Sequence, residues 1–305
     1  MRVRVLWAAV TLAASAAITP CYAQAARTFV SSNGNDSNDC SRQAPCRSFA
    51  TAITRTAAGG EINTLDPGGY GALTITKSIS IVSGLGEAGV LVPAGGVGVT
   101  INAGPTDQIN LRGLAIEGAG AGKTGILFKT GGALTVTNAV VRNVTEHAID
   151  IEPTGTSYVT ITDTLTSDNG AAGIYLGPNG GRADGVLSRI TTSNNSWGVY
   201  ANSFAHGTNT SPVNVTVTDS VVSANTKNSG IGIALEGPAS TFLINLNVLH
   251  STVYGNKYSI VNNGGFIEVS DVYTNSGISC RDGYYVRTYS NNVLHGSCLL
   301  TLTFN

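Results

Sequence analysis

VVRN, at residues 140–143, is the first of five four-residue runs that end in asparagine; the others are TSDN (166–169), TSNN (192–195), VSAN (222–225) and VYGN (253–256). The five asparagines follow one another at steps of 26, 26, 30 and 31 residues. An apolar run comes soon after each of them, from HAIDI (147–151) to YSIVN (258–262). Self-similarity at a fixed period of this length is the signature of a repeat architecture. One supersecondary unit is therefore repeated along the chain.

Alignment of the repeats produces two apolar columns. The first contains Leu111, Val136, Ile161, Leu187, Val217, Val248 and Val269, and the second contains Ile126, Ile149, Ile174, Val199, Ile233 and Ile260. Three short strands with polar turns use about 25 residues, which suits one coil of a parallel β-helix. Stacked at ~4.8 Å per coil, about nine coils would form a rod roughly 40 Å long.

The asparagine column, Asn143, Asn169, Asn195, Asn225 and Asn256, is interpreted as structural. Asparagine tolerates the left-handed backbone conformation of a sharp bend between strands. Its amide can also bond the asparagine one coil above or below. No ligand requires a residue on every coil, so we expect these side chains to fix the turns.

The composition excludes several classes of protein. The 305 residues include 38 glycines, only 11% are charged, and the net charge is −1. This composition is typical of strands and turns and not of a disordered or helical chain. A near-neutral chain without a basic cluster offers nothing that would bind a phosphate backbone, so no nucleic-acid partner is expected.

Residues 1–25 have the pattern of a secretory signal peptide, with two arginines, an apolar stretch and small residues at the end. Cleavage is expected after Ala23 or Ala25, and no stable membrane insertion is expected after it. A lipoprotein signal centred on Cys21 is the alternative, but Pro20 stands where a small residue would be expected. The protein is therefore predicted to be secreted or periplasmic.

Four cysteines remain after the signal, Cys40, Cys46, Cys280 and Cys298. An even number in an exported chain indicates disulfides, and four cysteines allow three pairings. Their clustering favours Cys40 with Cys46 and Cys280 with Cys298. Each bridge would staple one end of the repeat array, where fraying is easiest.

The remaining chain is predicted to be a single domain, residues 26–305. Residues 26–60 form an N-terminal cap, 61–275 the coils, and 276–305 a C-terminal coil and cap. The cap begins with a strand near residues 28–30, and SFATAITR (48–55) predicts a short amphipathic helix that covers the first coil.

The turn asparagines and the recurring GIYL (173–176) and GVYA (198–201) strands resemble the right-handed parallel β-helix of the pectin lyase-like superfamily, in its exported bacterial type. The resemblance covers about residues 28–305. It implies an all-β, right-handed parallel β-helix solenoid. It implies no single activity, because the superfamily includes lyases, hydrolases, epimerases and proteins without known activity.

Strand alternation predicts which side chains face outward next to the second apolar column. One outward face carries, coil after coil, Lys129, Asp150, Glu152, Tyr175, Tyr200, Asn202 and Glu236, and the insertion NSFAHGTNTSP (202–212) would bring His206 beside it. Aromatic faces stack on sugar rings, and carboxylates and amides bond hydroxyls. We expect this face to bind a polysaccharide or cell-surface glycan. The alternative is an ordinary solvated sheet whose tyrosines cover the strands.

Asp150 and Glu152 are the candidate catalytic pair. They lie two residues apart on one strand, ~6.6 Å along the backbone, near the carboxylate spacing of inverting glycosidases. The motifs of polygalacturonases, pectate lyases and epimerases are not found, so the resemblance transfers no catalytic residue. If the protein is an enzyme, it is expected to be a polysaccharide lyase or a glycosidase. The competing interpretation is a non-enzymatic surface or adhesin-like repeat protein.

A second polar column is expected at the corner after the first strand of each coil. It contains Asn138, Asp163, Arg189, Asp219, His250 and Asp271. Opposite charges at ~4.8 Å should form a charge ladder that helps to fix register. No metal site or cofactor is predicted, although the loop NGNDSNDC (33–40) could hold calcium through side-chain oxygens.

Overall fold

The fold is a right-handed parallel β-helix, seen in a computed structural model that describes residues 24–84, 87–204, 211–238, 243–289, 291–296 and 298–302. Three parallel sheets, here called sheets I, II and III, run along it. Sheets II and III have nine strands each, so the stack has the nine coils that the repeat predicted. The predicted signal peptide lies almost wholly outside the described residues and stays a prediction.

Each of the nine coils contributes one strand to each sheet, and sheet I has three further strands, one at its N-terminal end and two at its C-terminal end. Sheet I contains Ala25–Val30, Thr56–Thr64, Ile79–Val82, Gln108–Arg112, Ala133–Thr137, Thr156–Thr162, Arg182–Ser188, Val213–Thr218, Ile244–Leu249, Phe266–Ser270, Val286–Tyr289 and Leu299–Leu302. Sheet II contains Gly68–Gly69, Ala88–Leu91, Leu114–Glu117, Val140–Arg142, Leu165–Ser167, Thr191–Ser193, Val221–Ser223, Thr252–Tyr254 and Tyr273–Thr274. Sheet III contains Leu73–Ile75, Val97–Asn102, Thr124–Thr130, Ile149–Ile151, Ala172–Leu176, Trp197–Asn202, Ile231–Glu236, Tyr258–Asn263 and Ile278–Cys280.

Both predicted apolar columns are confirmed by the strand register. Val136 pairs with Leu111 on one side and Ile161 on the other, and the first column continues in this way to Val269. Ile149 likewise pairs with Ile126 and Ile174 in sheet III. These side chains form the core and are fully buried. Each buried Ile, Val or Leu contributes about 1.5–3 kcal/mol relative to an exposed one.

The asparagine column is real but contains four members, because Asn143 is out of register by one residue. The strand Val140–Arg142 pairs with Leu165–Ser167, which aligns Asn143 with Asp168 and places Val144 beside Asn169. Asn143, Asp168 and Asn194 have φ values of 56°, 63° and 52°. The left-handed bend thus lies one residue before each buried asparagine, so the prediction that the column itself adopts this conformation was wrong.

The four aligned asparagines, Asn169, Asn195, Asn225 and Asn256, form a buried hydrogen-bond ladder. The Nδ2 atom of Asn169 donates to Oδ1 of Asn195 at 2.9 Å, and the same contact follows from Asn195 to Asn225 at 3.0 Å and from Asn225 to Asn256 at 3.1 Å. Each Oδ1 atom also accepts a backbone N–H from the preceding coil. The ladder satisfies backbone groups that would otherwise be buried without partners.

Each end of the stack is closed by a disulfide, and the two predicted pairings are confirmed. The helix Phe49–Arg55 covers the first coil with Phe49, Ala52 and Ile53. It begins at the N-cap Ser48, whose Oγ accepts the N–H of Thr51 at 3.2 Å. The cap helix is therefore held by an ordinary Ser N-cap and by burial of its apolar face.

The loop for which calcium was considered uses both of its acidic side chains in local hydrogen bonds, and Asp39 accepts the backbone N–H of Ser41 at 2.9 Å. Asp36 accepts the backbone N–H of Arg47 at 2.8 Å and that of Ser48 at 2.9 Å, and these bonds hold the pKa of Asp36 below its usual range despite partial burial. In the described part of the chain, no three His, Cys, Asp or Glu side chains cluster so as to hold a metal ion.

The corner column after sheet I combines one backbone conformation with ion pairs. Its six residues all have φ between 45° and 52°. Arg189 donates from Nε and Nη2 to the two carboxylate oxygens of Asp163 at 2.7 and 2.9 Å, and His250 lies 3.3 Å from Asp271. These pairs are exposed, so they contribute little to stability.

Among the residues described, no helix is both long and apolar enough to span a membrane.

Candidate functional site

The candidate site lies on the outward side of sheet III, where three successive strands place polar and aromatic residues in register. Asp150 pairs with Tyr175 and Tyr175 with Tyr200, one per coil. Ala172 pairs with Trp197, and the N–H of Ala172 donates to Nδ1 of His147 at 3.1 Å. The coil stacking thus brings together residues that are far apart in the sequence.

Four rings form an aromatic cluster, defined here as His147, Tyr175, Trp197 and Tyr200. His147 stacks on Tyr175 with ring centroids 4.4 Å apart, and Trp197 stacks on Tyr200 at 5.1 Å. Tyr175 and Tyr200 meet edge to face at 5.3 Å. Stacked and edge-to-face pairs at these distances are favourable beyond their buried area. The cluster is a preformed aromatic wall outside the main core.

Asp150 lies beneath this wall and is only 5% exposed. No described residue hydrogen-bonds to its Oδ1 atom. Burial raises the pKa of Asp150 to about 8, with further increases from the nearby carboxylates Glu152 and Glu146. The carboxyl group is therefore protonated at neutral pH and can donate a hydrogen bond or a proton.

His147 is a neutral hydrogen-bond acceptor. Burial lowers the pKa of His147 to about 4, and the charge of Lys123 adds to the effect. Because Nδ1 accepts the Ala172 N–H, the remaining ring proton must be on Nε2. Between about pH 4 and pH 8, therefore, His147 is uncharged while Asp150 is protonated.

At the far end of the site, the Tyr200 hydroxyl takes part in hydrogen bonds with two polar side chains. Its hydroxyl donates to Oε2 of Glu236, and the Asn202 amide donates to the Tyr200 hydroxyl at 3.2 Å. Burial and the Glu236 carboxylate raise the pKa of Tyr200 above its usual range. Tyr200 is therefore a fixed phenol, held by polar groups from its own coil and the next.

An open cleft of about 420 Å³ connects these groups. It is lined by Glu146, His147, Asp150, Glu152, Ala171, Tyr175, Trp197 and Tyr200. Glu146 is offset by Lys123, whose Nζ lies 3.4 Å from its carboxylate. With Asp150 protonated and His147 neutral, the lining has little net charge. The cleft thus offers aromatic faces, one acidic proton and carboxylate acceptors.

The predicted residues do not form one exposed stripe. Asp150, Glu152, Tyr175 and Tyr200 line the cleft, but Asp150 and Tyr175, expected at a solvated surface, are 5% and 9% exposed because the aromatic cluster covers them. Asn202 and Glu236 are not among the lining residues and contact Tyr200 from its far side. Lys129 is exposed in the coil of sheet III that precedes Asp150, outside the cleft lining. His206 lies outside the described residues.

Sequence reasoning missed His147, Trp197 and Glu146. A signal was present in the apolar runs themselves, HAIDI (147–151), AGIYL (172–176) and WGVYA (197–201). The first residues of these runs, His147, Ala172 and Trp197, align in successive coils. The small side chain of Ala172, between the rings of His147 and Trp197, leaves space for the Tyr175 ring. Strict alternation would have turned Trp197 inward, but its side chain is half-buried and stacks on Tyr200 of the outer face.

Gly177 is required by the position of the Tyr175 ring. A Cβ at residue 177 would lie 2.4 Å from Cε1 of Tyr175. We expect Gly177→Ala to displace the ring, to unstack it from His147 and to cost about 1–3 kcal/mol of unfolding free energy, measured by denaturant titration. Gly155→Ala, at a site with no neighbour within 4 Å, is the matched control and should have little effect. Equal stability of the two variants would contradict this role.

Comparison with known proteins shows the fold family. A family model described as right handed beta helix region matches residues 97–273. No curated protein sequence matches the chain. A pectate lyase crystal structure has a TM-score of 0.64 at 17% identity, covering 91% of this chain and 78% of that one. A rhamnogalacturonan lyase has a TM-score of 0.55 at 14% identity, covering 92% and 85%.

A third solved structure is the A-module of a mannuronan C-5 epimerase from Azotobacter vinelandii. Its TM-score is 0.53 at 13% identity, and the match covers 81% of this chain and 89% of that one. At identities this low the three likenesses concern the fold and not the activity. The family match spans more than half of the chain. The chain therefore belongs to the right-handed β-helix family.

Proposed function

We propose that this protein is an exported, carbohydrate-active β-helix protein that binds an uncharged polysaccharide in the sheet III cleft. The observation that carries the proposal is Asp150, a protonated carboxyl with an unpartnered oxygen under an aromatic wall. A buried acid without a partner destabilises a fold, so its presence in a cleft points to use by a ligand.

The lining supports a sugar as that ligand. Sugar rings present C–H faces that pack on aromatic rings, and their hydroxyls require both donors and acceptors. The aromatic cluster supplies the faces, protonated Asp150 supplies a donor, and Glu152 supplies an acceptor. A polymer fits better than a single sugar because the cleft is open and follows the stacked coils. The structural neighbours are enzymes named for pectate, rhamnogalacturonan and mannuronan, which agrees with a polymeric substrate class.

The charge of the cleft favours an uncharged polymer. Glu146 and Glu152 are the other carboxyl groups of the lining, and the Nζ atom of Lys123 lies 3.4 Å from the Glu146 carboxylate. The described lining residues include two carboxylates and no Lys or Arg, so the lining itself offers an acidic sugar no cationic partner.

The same pair of carboxyls can hydrolyse a glycosidic bond. Asp150 would protonate the leaving oxygen while Glu152 takes a proton from the attacking water, which leaves Asp150 ionised and Glu152 protonated. Two residues along one strand, ~6.6 Å apart, leave room for that water and predict inversion at the anomeric carbon. A raised pKa on the acid is the arrangement that this chemistry needs at neutral pH.

Export is supported by the disulfides at both ends of the stack, since such bonds persist in oxidising compartments.

The decisive experiment measures binding and depolymerisation on a panel of neutral and acidic polysaccharides with the wild type, Trp197→Ala and Tyr175→Ala. We expect each variant to lose about tenfold or more in affinity for the polymer that binds. Tyr254→Ala is the control, because Tyr254 is a 50% exposed tyrosine on sheet II and should bind as the wild type does.

Three outcomes separate the parts of the proposal. Binding that depends on Tyr175 and Trp197 with release of reducing ends supports both parts. The same binding without cleavage supports a glycan-binding, adhesin-like role and rejects the hydrolytic step. Binding that is unchanged in both variants, or absent on every polymer, rejects the site.

A further inference from the structure

We propose a second ligand site on sheet I, at the C-terminal end of the stack, for a sugar that carries a carboxylate. The site is a cavity of about 610 Å³, larger than the sheet III cleft. Its lining includes Asn214, Asn245, Phe266, Tyr285 and Arg287. None of these residues belongs to the site proposed above, and the two sites lie on different sheets.

Coil stacking arranges four of these side chains in one row. Asn214 pairs with Asn245, and Asn245 pairs with Phe266. Val286 pairs with Ile267, so Tyr285 extends the row by one coil beyond Phe266. The row therefore presents two amides followed by two aromatic rings, at ~4.8 Å per coil.

The row is outward and accessible. Asn245 is exposed, and Tyr285 is 54% exposed. The Nδ2 atom of Asn214 donates to Oδ1 of Asp184 at 2.8 Å, which fixes that amide in place. Phe266 is half-buried and forms the floor between Asn245 and Tyr285.

Arg287 gives the site its charge preference. Its guanidinium carbon lies 4.4 Å from the centroid of the Phe266 ring, a cation–π distance that holds the group over the ring. Glu268, its neighbour on the next strand, accepts the Tyr289 hydroxyl at 2.7 Å. No carboxylate in the described ranges lies within ion-pair distance of Arg287. The edge of a planar guanidinium is thus available for bidentate bonds to a carboxylate.

These features together select an acidic sugar. The carboxylate would bind Arg287, the ring would pack on Tyr285 or Phe266, and the hydroxyls would bond the amides of Asn245 and Asn214. A neutral sugar would leave the guanidinium without a partner. The sheet III cleft has no cation in its lining, so the two sites should prefer sugars of different charge.

The test uses isothermal titration with a galacturonate trimer and, as the uncharged probe, a maltose-type glucose trimer. We expect the wild type to bind the acidic trimer and the uncharged trimer about tenfold more weakly at this site. Arg287→Gln and Tyr285→Ala should each lower affinity for the acidic trimer about tenfold or more. Arg287→Lys, which keeps the charge but not the planar fork, should fall between Arg287→Gln and the wild type.

Two controls identify the site. Arg112→Gln, which removes an exposed arginine at the other end of sheet I, should bind as the wild type does. Trp197→Ala should also bind the acidic trimer with the affinity of the wild type. A failure of the sheet III proposal would therefore not count against the sheet I site. Thermal melting checks that Arg287→Gln is folded. Absence of binding to the acidic trimer, or equal binding by Arg287→Gln, Tyr285→Ala and the wild type, would overturn the proposal.

Discussion

Replacing Asp150 by asparagine is expected to make the protein more stable at neutral pH and to abolish any acid-catalysed activity. In the folded protein the pKa of Asp150 is raised to about 8 from the ordinary value of 3.8. The unfolded chain therefore ionises from about pH 4 upward while the folded chain holds the proton. Between these values each pH unit costs the fold about 1.4 kcal/mol, which is on the order of 4 kcal/mol at pH 7.

The sign of this pH dependence can be measured directly. Relative to Asp150→Asn, the folding stability of the wild type should fall as the pH rises from about 4 to 8, and the loss should level off above that range. Asp150→Asn is neutral in both states, so its advantage should vanish near pH 3 and reach about 1–4 kcal/mol at pH 7. Urea titrations of both proteins at several pH values provide the comparison.

Asp163→Asn is the matched control with the opposite sign. Asp163 is exposed, and its hydrogen bonds with Arg189 lower the pKa of its carboxyl group. Its stabilising effect is present at neutral pH and is lost as the pH falls through that lowered value, so the asparagine variant should show no gain at pH 7. Parallel stability curves for the wild type and Asp150→Asn would show that Asp150 is ionised in the fold.

Truncating the middle of the asparagine ladder should have a similarly large effect on stability. Asn195→Ala removes Oδ1, which accepts two hydrogen bonds from Asn169, and Nδ2, which donates to Oδ1 of Asn225 and to the Thr166 carbonyl. The partners on both sides are left buried and unpaired. We expect a loss of about 3–5 kcal/mol, measured by urea titration at constant pH.

The preceding residue supplies the comparison. Asn194 is exposed and has a φ of 52°, a conformation that glycine adopts without strain. Asn194→Gly loses only the bond from Nδ2 to Oδ1 of Asp168, so we expect a change within about 1 kcal/mol. If the two variants were equally destabilised, the ladder would have no special role and the whole corner would share the stabilisation.

The fold could be predicted from the sequence because the register of each strand depends only on the strands of the two adjacent coils. Leu187 and Val217 are 30 residues apart and Leu111 and Val136 only 25, yet both pairs are adjacent in sheet I. Each coil must bury its own apolar column, and the extra residues are excluded into loops. The columns therefore survive changes in loop length and can be read directly.

The site was less predictable for two physical reasons. The alternation of side chains along a strand predicts on which side of the sheet a residue lies, but not whether residues of a neighbouring coil cover it. Asp150 was therefore expected to be solvated. The pKa of Asp150 is raised mainly by burial, and the cleft around Asp150 includes rings from coils 25 and 50 residues further along the chain. The same limit explains the error at Asn143, where the letter matched the repeat but the backbone position was one residue off.

The corner column after sheet I also shows that the coils are equivalent units, because every coil makes the same backbone bend there. Asn, Asp, Arg and His all adopt the same bend there, so the stack and not the side chain dictates it. Duplication of one coil would then lengthen the molecule by ~4.8 Å and leave every other strand with neighbours of the same kind. We expect related proteins to differ in two ways, by the gain or loss of complete coils and by the length and sequence of the loops. A site built across three consecutive coils, like the aromatic cluster, would be conserved only where no such step interrupts it.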